Sequence, residues 1–160
     1  MLDERETERV LAKLESLRGA IIDASSIIYI EKSGFYRHLN EAIKLKTIPA
    51  VLKEVQMPGL EVQVIDGEGP ETNTDRRLVA TAAASGSPLI SEDRAILLTC
   101  RAKGIEYYNA YMMLLLLRLR RAIAEGEFER FRTRLIEVAR YGRPVLDYAG
   151  DISRHLDKTL

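Results

Sequence analysis

Four acidic side chains stand where a carboxylate needs a reason. Asp23 closes the apolar run Ala20-Ile21-Ile22, Asp93 follows Leu89-Ile90-Ser91 by two residues, and Asp75 opens a helical segment after a loop. Glu54 lies about one turn into the segment begun by Pro49, a one-turn reach from the same end. In open parallel sheets, ligands bind beyond the carboxyl ends of the strands, and these positions fall at or near such ends. Gathered carboxylates repel one another and are costly to bury unless something neutralises them. A hard divalent cation, Mg²⁺ or Mn²⁺, does so and prefers oxygen ligands. Such an ion activates water and offsets charge developing on a phosphate. His38 and His155 lie away from the strand ends and read as surface or helix-face residues.

Each acid also has a plain structural alternative. Asp75 suits a first helical turn, where the macrodipole favours negative charge. Asp93 suits a turn, and Glu54 suits a solvated helix face. Asp23 is the hardest to explain this way, because it ends a strand that is apolar on both faces.

The surrounding pattern supplies the elements that must position these groups. Val10, Leu11, Leu14 and Leu17 recur at helical spacing over 3–18, and Gly19 stops the run. Residues 20–23 read as a buried strand, with Ser25 or Ser26 capping a helix after it. Helical spacing over 35–46 gives way to a short strand at Thr47-Ile48, and Pro49 suits a first turn. Residues 61–65 alternate as a strand, 66–71 form a loop, and Thr74 caps a helix over 75–84. A strand at 88–91, a helix over 94–102, a strand at 105–107 and a long helix from Tyr111 to about Ala124 follow, the last capped by Asn109. Alternating strands and helices predict a three-layer α/β/α sandwich around a central parallel sheet. An N-terminal helix (1–18) is expected to pack on a core domain (19–124), which a helical C-terminal extension (125–160), broken around Gly142 and Pro144, continues.

With 160 residues, 24 basic and 24 acidic side chains, the net charge is zero. That excludes a protein that coats nucleic acid by charge alone. Residues 1–100 carry 12 basic and 16 acidic groups, whereas 101–160 carry 12 basic and 8 acidic. Such a split suits an acidic pocket beside a basic surface, and equally a set of solvated helix faces. The lone Cys100 forms no internal disulfide and reads as a buried, inert thiol. The charged N-terminus and the absence of an apolar run near 20 residues point to a cytoplasmic protein with no membrane partner.

The segments Ile21-Ile22-Asp23-Ala24-Ser25, Ile48-Pro49-Ala50-Val51-Leu52-Lys53-Glu54-Val55, Thr74-Asp75-Arg76-Arg77-Leu78-Val79-Ala80-Thr81-Ala82 and Pro88-Leu89-Ile90-Ser91-Glu92-Asp93-Arg94, taken in order, resemble the PIN domain family over about residues 19–117. The resemblance implies an Mg²⁺- or Mn²⁺-dependent endoribonuclease. It makes Asp23, Glu54, Asp75 and Asp93 the four acids that hold the metals, and Ser91 a hydroxyl that supports them. Asp23, Asp75 and Asp93 would contact one or two ions, with Glu54 helping to hold the second. Many PIN proteins are VapC-type toxins, so an antitoxin protein joins RNA as an expected partner. The helix at 3–18 and the tail past 120 are additions relative to those compact toxins, and a homodimer is the expected assembly. Arg76, Arg94, Arg118, Arg120 and Arg121 are candidates to position an RNA backbone. Tyr107, Tyr108 and Tyr111 are candidates to stack on bases or to pack the core.

Two other phosphoryl chemistries fit less well. A haloacid dehalogenase-type phosphatase needs a second Asp two residues after the first, where this chain has Ser25. A receiver domain needs an acidic pair after its first strand, and Asp23 has no acidic neighbour. The non-enzymatic alternative is a PIN-like fold that is catalytically silent and binds RNA or protein.

Overall fold

The computed structural model describes residues 2–67 and 73–160. Among these residues the chain runs α1 (Glu4–Ser16), β1 (Gly19–Ile22), α2 (Ala24–Ser33), α3 (Tyr36–Ala42), β2 (Lys44–Thr47), α4 (Pro49–Val55) and β3 (Gln63–Val64). It continues through α5 (Thr74–Ser85), β4 (Leu89–Ile90), α6 (Arg94–Ala102), β5 (Tyr107–Tyr108), α7 (Ala110–Leu119), α8 (Glu125–Ala139) and α9 (Arg143–Thr159). The loop expected over 66–71 lies for the most part outside the described residues.

The strands form one sheet in the order β3-β2-β1-β4-β5, with every pair parallel. Parallel neighbours need crossover helices, so the alternating sequence pattern and the sheet are one fact seen twice. Helices flank the sheet, and the architecture is the expected α/β sandwich. Helices α5 and α6 pack on each other, on β4 and on β5, while α7 is packed by α1, α3, α8 and α9. Residues Ala20, Ile21 and Ile22 of β1 are fully buried, as a central strand covered on both faces requires. No helix among the described residues is long and apolar enough to cross a membrane.

Several element boundaries differ from the sequence pattern. The helical spacing read over 35–46 covers α3 and then β2, because Lys44, Leu45, Lys46 and Thr47 alternate outward and inward. That period of two takes β2 beyond the reach of α3, and the strand predicted at Thr47-Ile48 ends at Thr47 instead. The strand read over 61–65 shortens to two residues. Helix α7 stops at Leu119 rather than near Ala124, since Arg121 turns the chain with a left-handed φ of 54°. The helix starting near Thr74 takes its cap from Asn73, and the helix after β1 takes its cap from Asp23 rather than from a serine.

The N-terminal and C-terminal helices are docked on the core. The guanidinium of Arg120 donates to the carbonyls of Leu14 (2.8 Å), Glu15 (3.1 Å) and Leu17 (2.5 Å) at the end of α1, and to Ala42 (3.2 Å) at the end of α3. It thereby satisfies carbonyls that helix ends leave without partners. Arg118 is buried beneath α8 and α9. It donates to Glu125 (3.1 Å), to the backbone and hydroxyl oxygens of Ser153 (3.0 and 2.8 Å) and to Asp157, and its guanidinium stacks over Phe128 at 4.8 Å. Both arginines, read from the sequence as candidates to hold RNA, instead tie helices together. Tyr108 and Tyr111 are buried in the core, and Tyr107 remains exposed. Cys100 is fully buried on α6, where burial pushes its thiol up.

Candidate acidic site at the sheet switch point

The order of the sheet reverses at β1. The chain passes outward from β1 through β2 to β3, then returns to place β4 on the other side of β1. Such a reversal leaves a crevice at the carboxyl ends of the two central strands. Asp23 follows β1 and Ser91, Glu92 and Asp93 follow β4, so one buried carboxylate and a short acidic turn meet there. The backbone N–H of Asp23 donates to the Ile90 carbonyl at 3.0 Å, which continues the β1–β4 pairing up to the site.

Asp23 is 5% exposed. Its Oδ1 accepts from the Ser26 N–H (2.9 Å) and the Ser25 hydroxyl (3.2 Å), and its Oδ2 accepts from the Ser91 hydroxyl at 2.5 Å. Burial pushes the carboxyl above the usual carboxylate range, and the hydrogen bonds from Ser91, Ser26 and Ser25 work against that rise. Ser91 in turn accepts from the Asp93 N–H at 3.1 Å, so one hydroxyl connects Asp23 to the turn that carries Asp93.

Asp93 is exposed and caps α6: its Oδ1 accepts from the N–H groups of Ala95 (2.8 Å) and Ile96 (3.2 Å). Asp75 is exposed in the first turn of α5. The two carboxylates line a common cleft of about 520 Å³ with Arg76, Thr99 and Lys103 on its walls. The structure therefore links Asp23 to Asp93 through Ser91, and Asp93 to Asp75 through a shared cleft. Glu54 is the sixth of seven residues in α4 and is exposed. At a rise of about 1.5 Å per residue it stands roughly 7.5 Å along the helix from Pro49, and no described contact ties it to the other three acids.

The sequence reading missed Glu92, the residue between Ser91 and Asp93. Its carboxylate accepts from the Ser26 hydroxyl (2.6 Å), the Ala110 N–H (3.0 Å) and the Tyr141 hydroxyl (2.5 Å). Burial, reinforced by the charge of Asp23, raises its pKa to about 6 despite these donors. Glu92 lies inside a segment singled out for its neighbours, and a charge immediately after a buried strand was the available signal. Nothing in the local sequence announces Tyr141, 49 residues further on.

The donor set consists of carboxylate and hydroxyl oxygens, the chemistry that Mg²⁺ and Mn²⁺ prefer. Among the described residues no three His, Cys, Asp or Glu side chains gather closely enough to hold an ion by themselves. Mg²⁺ usually keeps several waters and takes only one or two protein carboxylates, and the Asp75–Asp93 cleft fits that mode. No protein-family model matches the chain, and no curated protein matches it.

Proposed function

We propose that the chain is a metal-dependent endoribonuclease of the PIN type that hydrolyses RNA phosphodiester bonds at the Asp23–Ser91–Asp93 site. The observation that carries this reading is the Ser91 hydroxyl bridging Asp23 and the Asp93 backbone at the sheet switch point. Asp75 and Asp93 would hold Mg²⁺ or Mn²⁺ in their shared cleft, with Asp23 behind Ser91 and Glu54 as a more distant contributor. When bound, the ion supplies Lewis-acid activation of water and stabilises charge on the phosphate and leaving oxygen.

The chain's own residues have separate parts in this reading. Asp93 is held by its capping bonds to α6 and lines the cleft without the freedom of a loop side chain. Ser91, Ser25 and Ser26 hold the Asp23 carboxylate in one orientation. Lys103 and Arg76 stand on the cleft walls, where cations position a phosphate backbone without reading sequence. Arg118 and Arg120 are committed to the helices they join and take no part.

An Mn²⁺ titration of thermal stability tests the site. Millimolar Mn²⁺ should raise the Tm by a few degrees, on the order of 1–2 kcal/mol of linkage, and Asp75→Asn should abolish the shift. An unchanged Tm in wild-type protein favours the second reading, a silent RNA- or protein-binding module. That reading draws on the hydrogen bonds that already occupy the Asp23 oxygens. An antitoxin partner and a homodimer belong to the nuclease reading too. Co-purification with the product of an adjacent reading frame tests the first, and light scattering tests the second.

A further inference from the structure

Glu92 is bound on all sides. Oε1 accepts from the Tyr141 hydroxyl (2.5 Å) and the Ala110 N–H (3.2 Å), while Oε2 accepts from the Ser26 hydroxyl (2.6 Å) and the same N–H (3.0 Å). A carboxylate has about four lone-pair directions, and here three donors, one N–H shared between the two oxygens, engage both of them. Both Glu92 oxygens are thus held by protein donors, although the residue sits beside Asp93. Its three donors come from three places: the first turn of α2, the start of α7, and the turn between α8 and α9.

Tyr141 reaches this carboxylate from the C-terminal extension. Its ring packs on Tyr111 of α7 at 5.9 Å between centroids. Arg140, immediately before it, closes α8 in the left-handed region at φ 50°, a conformation that disfavours residues other than glycine. A non-glycine residue persists there when its surroundings over-determine the backbone, and the Tyr141 contacts are such surroundings. The Ser26 hydroxyl that donates to Glu92 also neighbours Asp23, and the Ser26 N–H donates to Asp23 Oδ1. A path of direct hydrogen bonds thus runs from Tyr141 through Glu92 and Ser26 to Asp23.

We propose that the C-terminal extension completes the acidic site, with Tyr141 acting through Glu92 as a positioning residue for Ser26, Asp23 and the Ser91–Asp93 turn. The positional part stands on the contacts themselves. The consequence for RNA cleavage rests on the nuclease reading above.

Amide hydrogen exchange on the full chain, metal-free, separates the two parts. Losing a hydrogen bond to a charged group corresponds to about a tenfold change in a local opening equilibrium. Tyr141→Phe keeps the ring and removes only the hydroxyl, and it should speed exchange at Ser26, Asp93 and Ala110 by about tenfold while α5 amides keep their rates. Glu92→Gln, which keeps the shape, should affect the same amides. Changes confined to residues 139–143 and Tyr111, or disjoint sets for the two variants, would overturn the proposal. In an RNA cleavage assay Tyr141→Phe should lower kcat and leave KM within about twofold, since the hydroxyl faces Glu92 and not the cleft. A raised KM with unchanged kcat would also overturn it. If wild-type protein cleaves no RNA, the nuclease reading fails, and the exchange result still decides whether the extension holds the site.

Discussion

The Ser91 hydroxyl donates to Asp23 Oδ2 at 2.5 Å and accepts from the Asp93 N–H at 3.1 Å. A side chain with no exposed surface thereby joins the ends of the two central strands. Ser91→Ala removes both bonds at once and leaves the buried Asp23 with one donor fewer. The expected cost is about 1.5–3 kcal/mol in urea unfolding, since the bond is made to a buried carboxylate. A melt indistinguishable from wild type would show that the serine contributes nothing to the site.

Asp93 has two separable duties, capping α6 and facing the cleft. Asp93→Asn keeps an oxygen for the Ala95 and Ile96 N–H groups, whereas Asp93→Ala removes it. The alanine variant should lose about 1 kcal/mol of stability and the asparagine variant only a few tenths. Both should lose Mn²⁺-dependent stabilisation. Equal melting temperatures for the two variants would count against the cap.

What the sequence made legible was the part governed by local pattern. Asp23 after Ala20-Ile21-Ile22, Asp93 after Leu89-Ile90-Ser91, and Asn109 before α7 all stand where a strand or helix end demands a polar residue, and the structure puts them there. The parallel sheet followed from alternating elements, although its strand order did not. The illegible part depends on tertiary partners. Arg118 looks like one of several arginines free to meet a phosphate backbone until Glu125, Ser153 and Asp157 arrive from α8 and α9. Tyr141 is one aromatic residue in a polar tail until α8 docks and delivers it to Glu92. Glu54 is the sixth of seven residues in α4, and which way it serves depends on side-chain reach that the local pattern does not set.

Arg118→Met should separate stability from chemistry. The side chain is buried, its partners Glu125 and Asp157 are largely exposed, and methionine retains contact with Phe128. Stability should fall by about 2–3 kcal/mol through lost hydrogen bonds, with the cost moderated because both carboxylates can turn to water. KM for RNA should stay within twofold or so of wild type if the arginine only joins helices. A severalfold rise in KM without loss of stability would return Arg118 to the RNA surface.

Stability should also fall at alkaline pH. Burial, with Glu31 and Glu61 nearby, raises the Tyr36 phenol from 10.0 to about 12. Burial likewise raises Tyr108, Tyr141 and Tyr148. In the window above pH 10 the folded chain holds protons that the unfolded chain has lost, so stability is full below that pH and declines as pH rises towards the folded values. Tyrosinate absorbance from the buried phenols should therefore appear together with loss of helical circular dichroism. Tyr36→Phe should lessen the slope of stability against pH in this window by up to one proton's worth. Full tyrosine ionisation in a chain that is still helical would contradict the buried assignments.

Whether Asp23 belongs to a metal-dependent site that cuts RNA is decided by cleavage of an end-labelled, unstructured RNA by wild type and Asp23→Asn. Asparagine preserves the size of the side chain and relieves a charge that burial already disfavours, so folding should survive the change. Wild-type protein should show Mg²⁺-dependent cleavage that chelation abolishes and that Asp23→Asn lowers by about 100-fold or more. Undiminished metal-dependent cleavage by a folded Asp23→Asn protein, or none by wild type with either ion, would contradict that assignment.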